Sequence, residues 1–296
     1  MSDFLLKTNS IPNSDRKGRN KKLKKILIII LSIVLSVTVV LGVLQLGVLY
    51  NSNASKHWKP DYEMIDISPI LEKLELTDED YKVLYAQTGL TKIGIDDLLE
   101  QNNYALILDI QSSYFEDYSL LNNTFAPFSK MQTIDRRAVF ANLQEGDIIV
   151  SASTFVSWFR CGHAALVVDG EEMKVLNAAM IGENSSTIHL SELNNRANFL
   201  VLRPKVSKQA REKVAAFSKE ELVGLPYNLT VGIFSGKEEE KITGSHCAHI
   251  VWYAYKRHGV DLDSTGGTIV TPKDIANSVD LELVQTFGFD PKDLWK

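Results

Sequence analysis

One of the two cysteines of this chain lies in the segment GSHCAHIVWYAYKRHG, residues 244–259. The apolar residues of this segment recur at helical spacing, and Ser245 is predicted to be the helix N-cap, which places Cys247 in the first turn. Unpaired backbone N–H groups and the positive end of the helix dipole favour the nucleophilic thiolate there. The pattern therefore predicts that Cys247 is a catalytic nucleophile. The simpler alternative is a small buried residue on the core face of the helix.

A nucleophilic cysteine requires a base, and His163 is the best candidate among the six histidines. It opens the run HAALVVDG, which is apolar on both faces and therefore predicts an interior strand with the imidazole held at the rim of a core. His246 and His249 lie too close to Cys247 on the same helix to reach its thiol easily. The alternative for His163 is a structural histidine bonded to a carbonyl group.

An imidazole base needs an orienting partner, and Asn177 in the next run, KVLNAAM, is the polar candidate. A three-residue loop, 169–171, would place His163 and Asn177 opposite each other on one face of a hairpin. A loop of two or four residues would turn Asn177 to the other face, because side chains alternate along a strand. The alternative for Asn177 is a residue near a turn that bonds to the backbone.

The same residues allow two other interpretations. Cys161 and His163, with His246, Cys247 and His249, offer enough ligands for zinc, but their spacing is unlike that of zinc ribbons or fingers. We therefore predict no metal and no other cofactor. In an exported protein, Cys161 and Cys247 could also pair in a disulfide, which would block the nucleophile.

Charge is unevenly distributed along the 296 residues, which carry a net charge of -5. Eight basic and two acidic side chains give residues 1–25 a charge of +6, so the remainder carries -11. An acidic body argues against nucleic acid as a partner, because phosphate contacts require a basic face.

Residues 26–50, ILIIILSIVLSVTVVLGVLQLGVLY, contain no charged side chain. As a helix this run is about 37 Å long, more than the ~30 Å of bilayer hydrocarbon. It predicts a single transmembrane anchor, and the basic residues 1–25 before it predict a cytoplasmic N-terminus with the rest of the chain extracellular. A cleavable signal peptide is the alternative, although its apolar region is usually shorter.

The remainder divides into two parts. Residues 51–139 are predicted to form a short stalk and a helical lead-in, with a capping box at Thr77, a helix stop at Gly89 and further helices at 95–101 and 104–118. From residue 140 to residue 296, short β-branched runs are followed by helical stretches. Antiparallel strands followed by helices predict an α+β domain.

Four segments in order, GDIIV, GHAALVV, GLPYN and HCAHIVWYAYKRHGVDLDS, resemble the circularly permuted papain-like hydrolases of the NlpC superfamily, of the YiiX and YycO type, which are related to lecithin retinol acyltransferase. The resemblance covers residues 143–284. It implies a permuted papain-like fold, with Cys247 as nucleophile, His163 as base and Asn177 as orienting residue. It also implies that Tyr227 lines the substrate site. Permuted relatives often have a carboxylate at the position of Asn177.

The anchor and the resemblance together predict a membrane-anchored cysteine peptidase or amidase that acts on peptide or amide bonds of the cell envelope. Two other functions fit the same residues. An acyltransferase or thioesterase would act on lipid substrates through the same thiol chemistry. A non-catalytic module would use the cleft only to bind wall peptides.

Overall fold

The computed structural model describes residues 13–54 and 57–295, and the side chains from residue 20 onward. The predicted basic tail falls partly outside the described residues, as do residues 55 and 56 of the predicted stalk. The first element is helix α1 (Asn13–Asn53). Its part from Asn20 to Asn53 is long and apolar enough to cross a membrane, with a mean hydropathy of 3.1 in its most apolar window, and that window is not buried within the protein.

A six-stranded antiparallel sheet forms the centre of the protein, which confirms the predicted α+β class. Strand β5 is interior, as predicted, because β3 and β6 flank it. In order across the sheet the strands are β7 (Ser186–His189), β6 (Lys174–Asn177), β5 (His163–Asp169), β3 (Ile148–Ser151), β8 (Phe199–Pro204) and β9 (Leu281–Phe287).

Each face of this sheet supports its own hydrophobic core, because side chains alternate along the strands. Ala164, Leu166 and Val168 of β5 belong to the core that packs against helices α6 (Lys208–Glu221), α7 (Cys247–Lys256) and α8 (Pro272–Ala276). Ala165 and Val167 belong to the opposite core. Both cores are dominated by apolar side chains, so the sheet is a buried layer between two sets of helices.

The lead-in packs on the second face through helices α2 (Ser68–Leu71), α3 (Asp78–Thr88), α4 (Lys92–Glu100) and α5 (Tyr104–Phe115). The capping box at the start of α3 is confirmed, since Thr77 accepts from the Asp80 N–H and Asp80 accepts from the Thr77 N–H. Gly89 ends the same helix in the left-handed conformation, with φ 71°, as predicted. Local signals thus placed α3, α4 and α5 to within a few residues, whereas α2 was not predicted.

The sequence did not predict a second, three-stranded sheet, in which β2 (Ser129–Ile134) lies between β1 (Leu120–Ala126) and β4 (Thr154–Val156). The segment predicted as a stalk also differs from expectation, because its described part lies against the domain. His57 Nδ1 is 2.6 Å from the carbonyl oxygen of Ala197, and the Trp58 N–H donates to the carbonyl of Gly288 at 2.8 Å. The domain therefore begins close to the end of α1.

Candidate functional site

The β5–β6 hairpin brings His163 and Asn177 together by a route that differs from the prediction. The predicted three-residue loop is wrong: Asp169 pairs with Lys174, which leaves four residues in the loop. Such a loop alone would turn Asn177 to the opposite face. A bulge at Val168, between the pairs Val167–Val175 and Asp169–Lys174, restores the alternation.

The two side chains make a direct contact at the end of the sheet where β5 begins and β6 ends, which we call the thiol end. His163 Nε2 lies 2.7 Å from Asn177 Oδ1, and both residues are buried. An amide oxygen can only accept, so this geometry assigns the proton to Nε2 and leaves Nδ1 with a free lone pair. Burial and the nearby Arg196 lower the pKa of His163 to about 3, against a smaller opposing effect of Asn177. The imidazole is therefore neutral at pH 7.

Cys247 is the first residue of α7, and the residue is only 7% exposed. The predicted cap at Ser245 is wrong by one residue: the N-cap is His246, whose side chain accepts from the backbone N–H of His249. Ser245 is instead buried, and its Oγ lies 2.8 Å from His249 Nδ1. The shift places Cys247 among the N–H groups that have no partner within the helix.

Burial of the Cys247 thiol raises its pKa, and this outweighs four groups that favour the thiolate. Those groups are the backbone N–H of Ala164, the backbone N–H of Ala248, the Arg196 guanidinium and the Tyr227 hydroxyl. The helix start thus lowers the pKa of this thiol less than burial raises it. At neutral pH the site contains a neutral thiol and a neutral imidazole.

Tyr227 reaches the thiol from the loop that precedes α7. Its backbone N–H donates to the Glu183 carbonyl at 3.0 Å, and the residue forms a bridge with Ser245. Burial raises the pKa of Tyr227, and its hydroxyl interacts with Cys247. The structure therefore places this residue directly beside the sulfur, in a position to donate a hydrogen bond to a negatively charged atom formed there.

Arg196 is a part of this site that the sequence did not reveal. It lies in the polar segment SELNNRANF before β8, and its Nη1 donates to Thr154 Oγ1 at 2.9 Å. Burial lowers its pKa to about 10, opposed by Cys247 and Cys161, so the group remains cationic at neutral pH. Among the ion pairs of the described chain none involves Arg196. No periodicity or motif marks such an arginine, because only the fold brings it to the thiols.

Cys161 is the second thiol near Arg196, and both cysteines are free. Its Sγ lies 3.5 Å from the Thr154 carbonyl oxygen. Burial raises the pKa of Cys161 to about 12, and the charge of Cys247 contributes in the same direction. Cys161 is therefore a weaker nucleophile than its position near the site suggests.

His249 has a structural role at the start of α7. Its Nδ1 lies 2.8 Å from Ser245 Oγ and its Nε2 lies 3.0 Å from the Lys237 carbonyl oxygen. Both ring nitrogens are therefore used to attach the start of α7 to the preceding loop. In the part of the chain that the structure describes, no group of three or more His, Cys, Asp or Glu residues is arranged to hold a metal ion.

The arrangement has the elements of a thiol–imidazole site. The thiol of Cys247 faces Ala164, the residue next to His163 in β5, while the imidazole is oriented by Asn177. The hydrogen bonds of the described residues do not include one between Cys247 and His163. Such bonds are often long before substrate binds. A sulfur that attacks a carbonyl carbon here has Nδ1 of His163 at the same end of the sheet to receive its proton.

These features define the chain as an α+β protein with an antiparallel central sheet, an apolar N-terminal helix, and a buried thiol at the same end of the sheet as an oriented imidazole. No family model, curated protein or solved structure matches it.

Proposed function

We propose that this chain is a membrane-anchored cysteine hydrolase, with the fold of the circularly permuted papain-like enzymes, that cleaves peptide or amide bonds of the cell envelope. The observation that carries the proposal is the bond of 2.7 Å between His163 and Asn177, at the end of the sheet where the Cys247 thiol meets Ala164. An imidazole that is oriented by a side-chain amide, at the end of the sheet that also holds a thiol, is an arrangement suited to acyl transfer.

The reaction begins from the neutral pair. Cys247 Sγ attacks the carbonyl carbon of the substrate while its proton passes to Nδ1 of His163, and the carbonyl oxygen becomes negatively charged. Asn177 accepts from Nε2–H and holds the ring during this transfer. His163 then donates its proton to the leaving amine, the C–N bond breaks and a thioester remains. Water, deprotonated by His163, releases the acid and restores the thiol.

Two groups near the Cys247 sulfur can stabilise the negative oxygen. The backbone N–H of Cys247 is the first of the helix and has no carbonyl partner within it. The Tyr227 hydroxyl interacts with the sulfur and is close to the point of attack. Donors of this kind usually contribute about 3 kcal/mol each to the stability of the transition state.

The orientation in the membrane follows from charge. Residues 20–25 of the described chain include four lysines directly before the apolar run of α1, and basic residues are retained on the cytoplasmic side. The catalytic domain, which follows α1, would then lie outside the cytoplasm, where envelope polymers are accessible.

The test uses the full chain in detergent micelles or vesicles, incubated with cell-wall fragments and, separately, with acyl lipids. We expect wild type to release new amines from wall fragments and Cys247→Ala to release none, with unchanged thermal unfolding. Cys161→Ala is the matched control, and it should retain turnover and alkylation at Cys247. Turnover that persists in Cys247→Ala would exclude the mechanism.

One observation favours a second candidate, a thioesterase or acyltransferase on lipid substrates. The domain is attached directly to the end of α1, since the side chain of Asn51 donates to the Ser157 carbonyl at 2.8 Å. A site held this close to a bilayer has access to acyl esters. Turnover of acyl lipids but not of wall fragments, again lost in Cys247→Ala, would select this candidate. Binding of wall peptides without any thiol alkylation would instead indicate a non-catalytic module.

A further inference from the structure

The loop between β4 and β5 is hydrogen-bonded to the C-terminal half of helix α1. The Ser157 hydroxyl donates to the Leu44 carbonyl at 2.9 Å, and the Trp158 indole N–H donates to the Val43 carbonyl at 3.1 Å. Gly47 is essential to this approach, because a Cβ added there would lie 2.6 Å from the backbone nitrogen of Trp158. The ring of Tyr50 lies 5.6 Å from that of Trp158. The loop is thus attached along two turns of the helix.

A guanidinium group strengthens the same junction at the end of the helix. Arg160 Nη2 donates at 3.1 Å to the carbonyls of both Asn51 and Ala54. Its Nη1 donates to the Gln132 side chain in β2 at 3.0 Å. The last carbonyls of a helix have no partner within it, so these bonds fix the domain to the helix end.

The depth of this contact follows from the length of the helix. The charge-free run begins at residue 26, directly after Lys25, and hydrocarbon of ~30 Å is crossed by about 20 residues, which brings the far boundary close to Gln45. Val43 and Leu44 therefore lie at that boundary. A side chain that bonds to Val43 lies at the same level.

The loop presents side chains that suit this level. Trp158 is 54% exposed and adjoins α1, and Phe159, the next residue of the loop, is 63% exposed. Tryptophan and tyrosine are enriched where hydrocarbon meets the head groups, because the ring is apolar while its N–H or O–H is polar. Tyr50, beside Trp158, is exposed as well.

We propose that the loop from Ser157 to Phe159 is embedded in the interfacial layer of a phospholipid bilayer, on the side of the membrane that carries the domain. The inference rests on the proposed role of α1 as a membrane anchor. The loop adds a second membrane contact to that made by α1. This contact fixes the domain against the membrane surface, whereas α1 alone would only attach the domain to the membrane.

This placement has a consequence for the substrate. Phe159 is four residues from His163, which is at most about 14 Å of extended chain. The thiol end of the sheet is therefore held close to the bilayer. Bonds that lie next to the membrane surface, in molecules attached to a lipid, are the class of substrate that this geometry favours.

The test measures quenching of tryptophan fluorescence by lipids brominated near the head group. The full chain is reconstituted in vesicles of phosphatidylcholine and phosphatidylglycerol. Of the four tryptophans, Trp252 is fully buried, and Trp58 and Trp295 are partly buried and pack against the two cores, so Trp158 should be the principal quenched residue. We expect Trp158→Phe to remove about half or more of the quenching, and Trp295→Phe to leave it in place.

A second pair of variants tests the loop without removing the reporter. Phe159→Asp introduces a charge at the proposed depth and should reduce the quenching of Trp158 at least about twofold. Phe234→Asp is the matched control: Phe234 is 86% exposed in another loop, and the quenching should not change.

Two results would overturn the inference, and they are distinguishable. If alkaline washing releases the chain from the vesicles, the anchor itself has failed and the loop contact fails with it. If the chain resists washing but Trp158→Phe leaves the quenching unchanged, the anchor stands and only the loop contact is wrong. A second copy of the chain covering the loop would give this latter result.

Discussion

Two arginines near opposite ends of strand β8 meet different environments. Arg203, near the end of the strand, makes a bidentate pair with the buried Asp147 at 2.8 Å and a further ion pair with Asp97. Arg196, before the start of the strand, bonds to the Thr154 hydroxyl and lies beside two thiols, with no carboxylate partner among the described ion pairs. We call the region of Arg203 the ion-pair end.

The comparison shows at which of the two ends buried or partly buried polar groups lack a complete set of partners. Burial lowers the pKa of Arg203, but Asp147 and Asp97 outweigh this and raise it, so the group is a fixed cation. At the thiol end the charge of Arg196 acts to lower the pKa of Cys247. At the same end His246 Nε2 is buried without a hydrogen-bond partner in the described structure. A partly buried cation without a carboxylate partner is costly unless an anion forms beside it during function.

The largest expected effect is on stability at the ion-pair end. Arg203→Met leaves the carboxylate of Asp147 buried without its cation, which should lower the free energy of unfolding by about 3–5 kcal/mol. Urea denaturation of the full chain in micelles measures it, with Arg196→Met as the matched variant. A loss in Arg196→Met as large as that in Arg203→Met would remove the distinction between the two ends.

The next effect is on the reactivity of the thiol. In a Cys161→Ser background, Arg196→Gln removes a charge that lowers the pKa of Cys247, so that pKa should rise. Alkylation at pH 8 should then slow about 30-fold, which corresponds to about 2 kcal/mol. Arg196→Lys should recover most of the rate. If Arg196 has only a structural role, the free energy of unfolding will fall in Arg196→Gln, but the midpoint of the pH profile of Cys247 alkylation will not change.

Acid should destabilise the thiol end more than the ion-pair end. Burial and the nearby His249 lower the pKa of His246 to about 4, whereas an unfolded histidine titrates near 6.5. The unfolded state therefore binds more protons between these values, and stability falls as the pH falls below about 6.5. His246→Asn keeps an N-cap and should reduce the loss between pH 7 and pH 5.5 by about 1.3 kcal/mol. Urea denaturation at both pH values measures this, and an unchanged loss would contradict it.

The smallest expected effect concerns Cys161. Its thiol pKa is about 12, so the thiolate is scarce at neutral pH, and Cys161→Ser should change kcat/KM by less than about threefold. Steady-state assays of the two proteins under reducing conditions test this. A loss of more than about tenfold would make Cys161 part of the reacting group and bring the two thiols into one mechanism.

Local sequence signals determined much of the fold. The capping pair at Thr77 was recognisable because the contacts that form it lie within one turn. The interior position of β5 followed from its apolar residues on both faces. Strand β9 was missed, because its partner β8 is about 80 residues away and short runs do not reveal such pairs.

The candidate site shows the same division. The sequence by itself determined the local placement of the two candidate residues, a thiol at a helix start and a histidine at a strand start, because both depend on neighbouring residues. Only the tertiary structure decided that a bulge at Val168 turns Asn177 toward His163, and that Arg196 lies beside the thiols. Register and long-range proximity depend on how whole elements pack, and no local pattern encodes them.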